Sequence, residues 1–390
     1  MSSDWPLKDK ACIVGIGESE FARHGGASES AFKLGARAVL AAIDDAGLKP
    51  DDIDGLVGYM RERTVVEVFA GGLGIRNLRF ANTWSGGGGG VAAVAMNAAM
   101  AVATGAANYV VCYRAICQGQ QPRLGLARTD PIATGLSAFT WPFGMLSPAQ
   151  GMAPKVRRYM YETGATREDF APIALASYSH AQRNPRAVMY GRTLTLEQYL
   201  NSRVIVDPFH LYDCCLESDG AVAFIVTTAE RARDLKQRPV YIMGAVQGAD
   251  SRSEASSYPN HVNYASGNFV QMGPELFERA GIAPADVDSA QIYEAFVPLV
   301  MMALEEFGFC KRGEGRDFVK GGRLMWPDGQ LPLNTSGGNL AEAYIHGLEL
   351  VTEGVRQLRG TSTCQVDDAE LGLVAGAPGP HLVSAMLLRR

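Results

Sequence analysis

The chain has 390 residues, of which 47% are hydrophobic and 20% are charged, and its formal net charge is -5. A chain of this length holds enough apolar material for two domains or for one large duplicated domain. The acidic balance, without a long run of Lys or Arg, argues against nucleic acid as the main partner.

The chain start and the cysteines indicate the compartment. Residues 1–5 show neither the basic stretch nor the apolar core of a signal peptide. The seven cysteines form no CxxC pair and are an odd number in a long chain, which favours reduced thiols. These features predict a cytoplasmic protein.

The first predicted structural unit covers residues 41–59, which read AAIDDAGLKPDDIDGLVGY. An amphipathic helix ends at Gly47, because glycine is the residue that most often caps a helix at its C-terminus. Pro50 then begins a short turn, and an apolar strand follows over residues 56–59.

An uncharged segment comes next, since no charged residue lies between Arg79 and Arg114. The segment superficially resembles a membrane span, but glycines at residues 86–90 interrupt it. Its apolar part, Val91–Ala103, is shorter than the ~20 residues that a bilayer requires. Its many alanines suit a helix that is buried on every side. We therefore predict a buried helix, followed by a strand over residues 109–113, and no membrane span.

Residues 118–205 differ from their surroundings because they are rich in Arg, Pro, Gly and aromatic side chains. Helical stretches are predicted near residues 154–162 and 170–183. The composition indicates an insertion over the first half of the chain, where a binding or capping region is expected. A strand over residues 221–227 and a helix over residues 229–236 then complete the first half.

The later part of the chain repeats the earlier part. Residues 275–293 read ELFERAGIAPADVDSAQIY and share the pattern Ala-Gly-(Leu/Ile)-x-Pro-x-Asp-(Ile/Val)-Asp with the first unit. Residues 84–87 (WSGG) precede the buried helix, and residues 335–338 (TSGG) precede a helix predicted over residues 342–358. Two halves with the same order of elements predict a duplicated α/β architecture.

The repeat divides the chain into three predicted regions. Residues 1–117 and 206–236 form an N-terminal half, and residues 118–205 form the inserted loop or capping region. Residues 237–390 form a C-terminal half that repeats the first.

Five motifs in the same order resemble the thiolase superfamily over essentially the whole chain. They are the two repeated segments described above, residues 11–17 (ACIVGIG), Asp219-Gly220-Ala221, and Asn334-x-Ser336-Gly337-Gly338. The resemblance implies a duplicated five-layer α/β/α/β/α fold. It also implies a homodimer formed through the edges of the central sheets.

The chain departs from thiolases at the residues that carry thiolase chemistry. The place of the nucleophilic cysteine, at the start of the buried helix, falls nearest Gly88, and no cysteine occurs over residues 80–111. The Gly-His-Pro histidine falls on Tyr344, and the Asn-Glu-Ala-Phe motif begins with Tyr293. The second catalytic cysteine is missing from residues 373–379. Condensation or thiolysis through an acyl-cysteine is therefore not expected.

Longer stretches resemble one branch of the superfamily, the steroid side-chain aldolases that are often labelled lipid-transfer proteins. These stretches are residues 211–220, 233–239, 342–347 and 353–362. The resemblance implies retro-aldol cleavage of a steroid or bile-acid β-hydroxyacyl-CoA into a ring ketone and a short acyl-CoA. It implies no intrinsic cofactor, since CoA is part of the substrate. It also implies a small OB-fold, zinc-ribbon partner of the kind associated with acyl-CoA hydratases.

Retro-aldol chemistry needs a base for the β-hydroxyl proton, donors for the enolate oxygen and a proton source for the carbon. The resemblance places the two catalytic tyrosines of the branch on Tyr344 and Tyr293. We expect Tyr344 to exchange the hydroxyl proton and Tyr293 to protonate the enolate, with the two roles interchangeable. Tyr344 near a helix start would have its phenolate favoured by the helix dipole. The alternative is that both rings only pack in the core.

Weaker candidates surround the two tyrosines. His346 would point to another face if residues 342–358 form one helix, and it can equally be structural. Glu294 can hydrogen-bond across the site or to a buried backbone group. Asn334 and the N–H groups of Ser336, Gly337 and Gly338 are possible enolate donors, or merely a turn.

Other features point less clearly to a site. The glycines near Gly88 allow the close approach of a backbone or a sterol ring. Arg157 and Arg158 are weak candidates for contact with CoA phosphates, with solvated surface charge as the alternative. The adjacent Cys214 and Cys215 are interpreted as small buried side chains. The six histidines show no paired ligand spacing, so no metal site is predicted.

Two other functions stay open from the sequence. The first is acyl transfer by an unexpected cysteine on the same fold. The second is a non-catalytic subunit that binds lipids or acyl-CoA. Thiol alkylation separates the first from an aldolase, and a cleavage assay separates the second.

Overall fold

The computed structural model describes most of the chain: residues 5–59, 65–84, 87–120, 123, 125–126, 132–133, 135–250, 264–379 and 382–390. Ser85 and Gly86 of the first predicted glycine turn lie outside these ranges.

The strands of the described ranges, in chain order, are β1 (Ala11–Glu18), β2 (Ala22–Arg23), β3 (Gly55–Tyr59), β4 (Phe80–Trp84), β5 (Val110–Ile116), β6 (Val204–Val206), β7 (Phe209–His210), β8 (Ser218–Thr228), β9 (Val240–Gly248), β10 (Ser289–Ile292), β11 (Leu371–Ala375) and β12 (Val383–Arg389). The α-helices are α1 (Ala31–Ala46), α2 (Val66–Leu73), α3 (Val91–Ala103), α4 (Pro148–Thr163), α5 (Arg167–Ala181), α6 (Leu196–Leu200), α7 (Ala229–Ala232), α8 (Met272–Ala280), α9 (Val297–Glu306), α10 (Gly315–Phe318), α11 (Gly338–Ala341) and α12 (Leu348–Arg359).

The central sheet contains the same strand order twice. From edge to edge, its strands run β4, β3, β5, β8, β1, β9, β12, β11 and β10. The first five belong to the first half of the chain, and the second half repeats them in reverse. Leu333 forms a parallel bridge with Ala290 of β10 and so stands where β4 stands beside β3. This arrangement confirms the predicted duplication.

The repeated sequence segments form the same local structure in both halves. α1 ends at Gly47 and α8 ends at Gly281, and both glycines adopt the left-handed conformation, with φ of 75° and 72°. A short 3₁₀ turn follows each glycine, Pro50–Asp52 in one half and Pro284–Asp286 in the other. The helix, glycine cap, proline turn and strand predicted from the repeat are therefore confirmed.

Three layers of helices cover and separate the strands of the two halves, so the fold has five layers in total. α1 and α2 pack on the first-half strands, α3 and α12 lie between the halves, and α8 and α9 cover the second-half strands. α3 spans Val91–Ala103 as predicted and buries most of its alanines. No helix in the described ranges has the length and apolar character that a membrane span requires.

The prediction of one helix over residues 342–358 is wrong. α11 ends at Ala341 and α12 begins at Leu348, so Tyr344 lies in the loop between them. His346 and Gly347 have φ of 53° and 84°, which a right-handed helix cannot contain. A Cβ atom at Gly347 would lie 2.4 Å from Cδ2 of the Tyr293 ring. The loop therefore lies directly against Tyr293, and its backbone is not helical there.

The inserted region packs on the second half of the chain, which corrects the prediction that it covers the first half. Its two long helices, α4 and α5, share a hydrophobic core with α8 and α9. Tyr159 of α4 and Phe170 of α5 are both buried there. Aromatic side chains on these helices bury large apolar areas, so they fix where the insertion docks. The boundaries of the three predicted regions stay a prediction.

Candidate functional site

The structure brings Tyr293 and Tyr344 together. Tyr293 directly follows β10, and Tyr344 lies in the loop before α12. Their ring centroids are 6.1 Å apart at an interplanar angle of 71°, and each phenol affects the pKa of the other. Both side chains are buried, with 2% and 9% of their surface exposed. The two tyrosines therefore form one pair rather than separate core residues.

The Tyr293 ring occupies the space beside Gly88. A Cβ atom at Gly88 would lie 2.4 Å from Cζ and 2.6 Å from the phenolic oxygen of Tyr293. Any side chain at Gly88 would therefore collide with this phenol. The resemblance placed the absent thiolase nucleophile at this position. The Tyr293 phenol therefore occupies the space in which the resemblance places the side chain of that nucleophile.

We expect Gly88→Ala to lower catalytic cleavage, because the new methyl group must push the Tyr293 ring out of place. A displacement of about 1 Å at a reacting group can cost about 10²-fold in rate. The measurement is the rate of the β-hydroxyacyl-CoA cleavage that the resemblance implies. Gly151→Ala in α4 is the matched control, because a Cβ atom there meets nothing within 4 Å. Equal rates for the two variants would show that the position of the Tyr293 ring does not matter.

Two hydrogen bonds from β8 hold the Tyr344 backbone. The Tyr344 N–H donates to Ser218 Oγ at 2.7 Å, and the same hydroxyl donates to the Tyr344 carbonyl at 3.2 Å. Ser218 is fully buried at the start of β8. The loop before α12 is therefore tied to a strand of the first half, which fixes the phenol relative to the sheet.

His346 lies beside the tyrosine pair. Its ring centroid is 5.3 Å from that of Tyr344, at an edge-to-face angle of 72°. It also stacks on Tyr59, with 6.0 Å between the centroids. Its Nδ1 accepts a hydrogen bond of 2.9 Å from Nε of Arg114. The expectation that His346 points to another face than Tyr344 is therefore wrong, because both residues lie in a loop.

The environment keeps both phenols in their neutral form. Burial raises the pKa of Tyr344 above its ordinary value, and it raises the pKa of Tyr293 well above that value. The positive charge of Arg114 partly opposes this for Tyr344, whereas the groups of Cys215 and Glu349 add to it. The pair therefore suits the exchange of protons between hydroxyl groups better than the storage of a negative charge.

Cys215 is the thiol near the tyrosine pair. Its N–H donates to the carbonyl of Ala295 at 3.1 Å, which places it beside the segment that follows β10. Burial raises the pKa of Cys215 well above its ordinary value. Because the thiolate is the nucleophilic form, this environment disfavours covalent catalysis by sulfur. Cys214 has its pKa raised to about 12 by the same cause.

Glu294 contacts the inserted region. Its carboxylate accepts a hydrogen bond of 3.1 Å from the Ser177 hydroxyl in α5. A Cβ atom at Gly338 would lie 2.1 Å from Oε1 of Glu294, so this glycine makes room for the carboxylate. Burial raises the pKa of Glu294 to about 7. Its carboxyl group can therefore release and take up a proton near neutral pH.

Asn334 uses its side chain to continue the sheet. Its amide oxygen accepts from the Ile292 N–H at 2.8 Å, and its amide nitrogen donates to the Ile292 carbonyl at 2.9 Å. Its φ of 51° lies in the left-handed region. These bonds hold the last residue of β10 and so fix the backbone immediately before Tyr293. The geometry fits a support for Tyr293 better than an enolate donor.

The turn Ser336-Gly337-Gly338 packs against α5. A Cβ atom at Gly337 would lie 2.8 Å from Cβ of Ala181. The Asn184 side chain donates to the Ser336 carbonyl at 3.0 Å, and the Gly337 N–H donates to the Asn334 carbonyl at 2.9 Å. Of the predicted enolate donors, the Gly337 N–H is therefore already used within the turn.

Arg157 and Arg158 lie on the exposed side of α4, with 52% and 56% of their side chains accessible. Arg157 pairs with Asp207, and Arg158 pairs with Glu162 at 2.6 Å. Each guanidinium therefore has a carboxylate partner within the chain. The structure does not bring either residue to the tyrosine pair.

Two buried charged side chains at the site, Arg114 and Glu349, were not predicted from the sequence. Arg114 is the one charged residue in the otherwise apolar strand β5, a signal that was open to sequence analysis. Glu349 accepts from the Ile345 N–H at 3.2 Å and from the Asn339 amide, so it holds the loop that carries Tyr344. Within the described ranges, no group of three or more His, Cys, Asp or Glu side chains is placed to bind a metal ion.

Comparison with known proteins gives matches over nearly the whole chain. A family model described as thiolase C-terminal domain-like matches residues 251–388. The 17-hydroxy-3-oxo-4-pregnene-20-carboxyl-CoA lyase of Mycobacterium tuberculosis is 43% identical over 96% of this chain and 97% of its own. The steroid side-chain-cleaving aldolase of Thermomonospora curvata is 44% identical over 96% of each chain.

A solved structure described as the Ltp2-ChsH2(DUF35) aldolase superposes with a TM-score of 0.91 at 42% identity, covering 98% of both chains. Human mitochondrial 3-ketoacyl-CoA thiolase superposes with a TM-score of 0.70 at 15% identity, which shows the shared fold. Because the aldolase matches extend over nearly the full length of both partners, this chain belongs to the thiolase superfamily, in its branch of steroid side-chain-cleaving aldolases.

Proposed function

We propose that this protein is a carbon–carbon lyase that performs retro-aldol cleavage of a steroid or bile-acid side-chain β-hydroxyacyl-CoA. The products are a ring ketone and a short acyl-CoA. The observation that supports this best is the contact between the buried rings of Tyr293 and Tyr344 beside Gly88, the position that the resemblance assigns to the thiolase nucleophile. Retro-aldol cleavage needs proton transfer and no covalent acyl intermediate.

The balance of the reaction fits a pair of neutral phenols. The β-hydroxyl group loses its proton, the bond between the α and β carbons breaks, and its electron pair enters the thioester enolate. The α carbon then gains one proton, so one proton leaves an oxygen and one arrives at a carbon. Tyr344 accepts the first proton as its own proton passes to Tyr293, which delivers a proton to the carbon. No free phenolate accumulates, consistent with the raised pKa of both buried groups.

The direction of this relay is free to reverse, because each phenolic hydroxyl can both donate and accept a proton. The two roles are therefore interchangeable in principle. Tyr344 lies next to His346, which binds Arg114, and the charge of Arg114 lowers the pKa of Tyr344. This favours Tyr344 as the group that meets the β-hydroxyl.

The substrate proposal rests on the relatives. The names of the two curated relatives specify a steroid side chain and a carboxyl-CoA thioester. No intrinsic cofactor enters the proposed reaction, and CoA takes part only as a portion of the substrate. The residues that hold its phosphates are not Arg157 and Arg158 in our proposal, since both have carboxylate partners.

The partner proposal rests on the solved aldolase, whose description names a DUF35 component. We propose that this chain binds a small OB-fold, zinc-ribbon protein of that kind, associated with an acyl-CoA hydratase, and that a homodimer of this chain forms the core of the assembly. All seven cysteines are free thiols, which supports a cytoplasmic location.

The test of the function is product analysis by mass spectrometry. The chain is co-expressed with the partner, purified and given a synthetic steroid β-hydroxyacyl-CoA. We expect equal amounts of the ring ketone and the short acyl-CoA. Intact substrate that remains bound to the protein would favour a non-catalytic lipid or acyl-CoA-binding subunit instead.

Acyl transfer is the second candidate function, because it needs a thiol near the tyrosine pair and Cys215 lies there. The raised pKa of this thiol opposes that function. We expect Cys215→Ala to keep cleavage within about tenfold of the unaltered protein, which corresponds to ~1.4 kcal/mol in the barrier. The measurement is the cleavage rate, together with a mass-spectrometric search for an acylated cysteine. Complete loss of activity with an acyl adduct on Cys215 in the unaltered protein would establish acyl transfer and contradict the aldolase proposal.

A further inference from the structure

We propose that Arg114 is a positioning residue for this reaction. Its hydrogen bond to His346 holds the imidazole ring against Tyr344, and its charge stabilises the negative charge that develops on the Tyr344 phenol. This inference rests on the proposed function, because it assigns a role to Arg114 in the same proton transfer.

Arg114 is a charged side chain on an interior strand of the sheet. It lies in β5, opposite Val222 of β8, and only 2% of its surface is exposed. The other side chains of β5 are apolar or aromatic. A buried guanidinium group is costly unless hydrogen bonds and charge interactions compensate for its lost hydration. An aliphatic side chain at residue 114 would suit the fold better, so the buried charge of Arg114 indicates a role other than folding.

The hydrogen bond from Arg114 sets the protonation of His346. The Nε–H group of arginine can only donate, so Nδ1 of His346 must accept. The imidazole is therefore neutral, and its proton lies on Nε2. His346 consequently cannot act as a cationic acid while this bond exists, and its role is to pack and to orient.

The ring of His346 packs between Tyr59 and Tyr344 and so holds the Tyr344 ring in place. One face of the imidazole stacks on Tyr59 at 25°, and its edge meets the Tyr344 ring at 72°. The guanidinium carbon of Arg114 lies 5.6 Å from the centroid of the Tyr59 ring. Arg114, Tyr59 and His346 thus form a packed support on one side of Tyr344.

The groups that face the Tyr344 phenol come from four other elements of the chain. They are Cys215 before β8, Tyr293 after β10, Glu349 in α12 and Arg114 in β5, with His346 on the same loop. Of these, Arg114 carries the positive charge, and it lowers the pKa of Tyr344 against the effect of burial. In a site that excludes water, one such charge stabilises an anionic transition state far more than it would in solution.

The kinetic test uses Arg114→Gln with Arg114→Lys as the matched control. Glutamine keeps a hydrogen-bond donor without the charge, and lysine keeps the charge. We expect Arg114→Gln to lower kcat by about 10²-fold with little change in KM, because the charge acts only in the transition state. Arg114→Lys should retain most of the kcat of the unaltered protein. Arg114→Met is a second neutral variant. If Arg114→Gln does not fold, the test is made with Arg114→Met.

A spectroscopic test separates this inference from the proposed function. A fluorinated tyrosine, whose phenol is more acidic, replaces Tyr344, and its ionisation is followed by absorbance without any substrate. Loss of the charge at Arg114 removes stabilisation of the phenolate, so the midpoint should rise by about one to three pH units in Arg114→Gln. It should stay near the original value in Arg114→Lys.

An unchanged midpoint in the folded neutral variant would overturn the role proposed for Arg114, even if cleavage is observed. A raised midpoint in a protein that cleaves no β-hydroxyacyl-CoA would support the interaction between Arg114 and the Tyr344 phenolate. It would contradict the proposed function instead. The same titration also distinguishes the proposed role from a purely structural one. A loss of packing alone would not raise the midpoint in Arg114→Gln and leave it unchanged in Arg114→Lys.

Discussion

Tyr344→Phe is expected to lower the rate of side-chain cleavage by about 10²–10⁴-fold, the range that one general acid–base group contributes. The phenol is the group that meets the β-hydroxyl proton, and phenylalanine removes only its oxygen. The phenyl ring still packs edge-to-face with Tyr293 and His346, so the loop before α12 should keep its shape. The measurement is kcat and KM for cleavage, with thermal unfolding as the check on folding.

Tyr178→Phe is the matched control for this experiment. Tyr178 is buried in α5 and its ring packs edge-to-face with Tyr212 at 5.7 Å, so the variant also loses one phenolic oxygen. It lies outside the tyrosine pair, and its cleavage rate should be close to that of the unaltered protein. If Tyr344→Phe behaves like Tyr178→Phe, the phenol of Tyr344 has no part in catalysis.

Tyr293→Phe is expected to lower the cleavage rate by a similar factor. It should also affect a partial reaction that Tyr344→Phe leaves largely intact. In the proposed relay Tyr293 delivers the proton to the α carbon, so in reverse it removes a proton from the α carbon of the product acyl-CoA. Exchange of that proton for deuterium can be followed by mass spectrometry with the short acyl-CoA alone in D₂O. We expect Tyr293→Phe to abolish this exchange, because the phenyl ring still fills the space beside Gly88 but moves no proton.

The exchange experiment assigns the two roles. Tyr344→Phe should retain more exchange than Tyr293→Phe, since enolisation of the product does not involve the β-hydroxyl group. The opposite pattern would interchange the roles of the two phenols. Full exchange in both variants would mean that another group protonates the carbon, which contradicts the relay.

The repeated segments allowed most of the fold to be predicted from the sequence. The Ala-Gly-x-x-Pro pattern is local, because a left-handed glycine ends a helix and a proline begins the next turn wherever the pattern occurs. Gly47 and Gly281 therefore gave the correct helix ends in both halves. The alanine-rich helix α3 was equally predictable, since uncharged small side chains over Val91–Ala103 require a buried setting.

The loop between α11 and α12 could not be predicted in this way. Its residues have an apolar pattern that is compatible with one helix, and the pattern contains no signal for the contact with Tyr293. Gly347 lies against that ring only in the folded chain, where its left-handed conformation makes room for the phenol. Tertiary contact thus overrides the local preference for a helix at this point.

The environment of the tyrosine pair was likewise hidden from the sequence. Arg114 and His346 are separated by 232 positions, and nothing local indicates that they form a hydrogen bond. The resemblance identified both tyrosines by position. The collision between a side chain at Gly88 and the Tyr293 ring became visible only with three-dimensional distances.

The most direct test of the account is a crystal structure of the protein with a bound, unreactive analogue of a steroid β-hydroxyacyl-CoA. The quantity to measure is the distance from the analogue's β-hydroxyl oxygen to each of the two phenolic oxygens. We predict a hydrogen bond of about 2.6–3.2 Å to Tyr344, with the α carbon facing Tyr293. An analogue whose β-hydroxyl and α carbon both lie beyond the reach of either phenol would contradict the account.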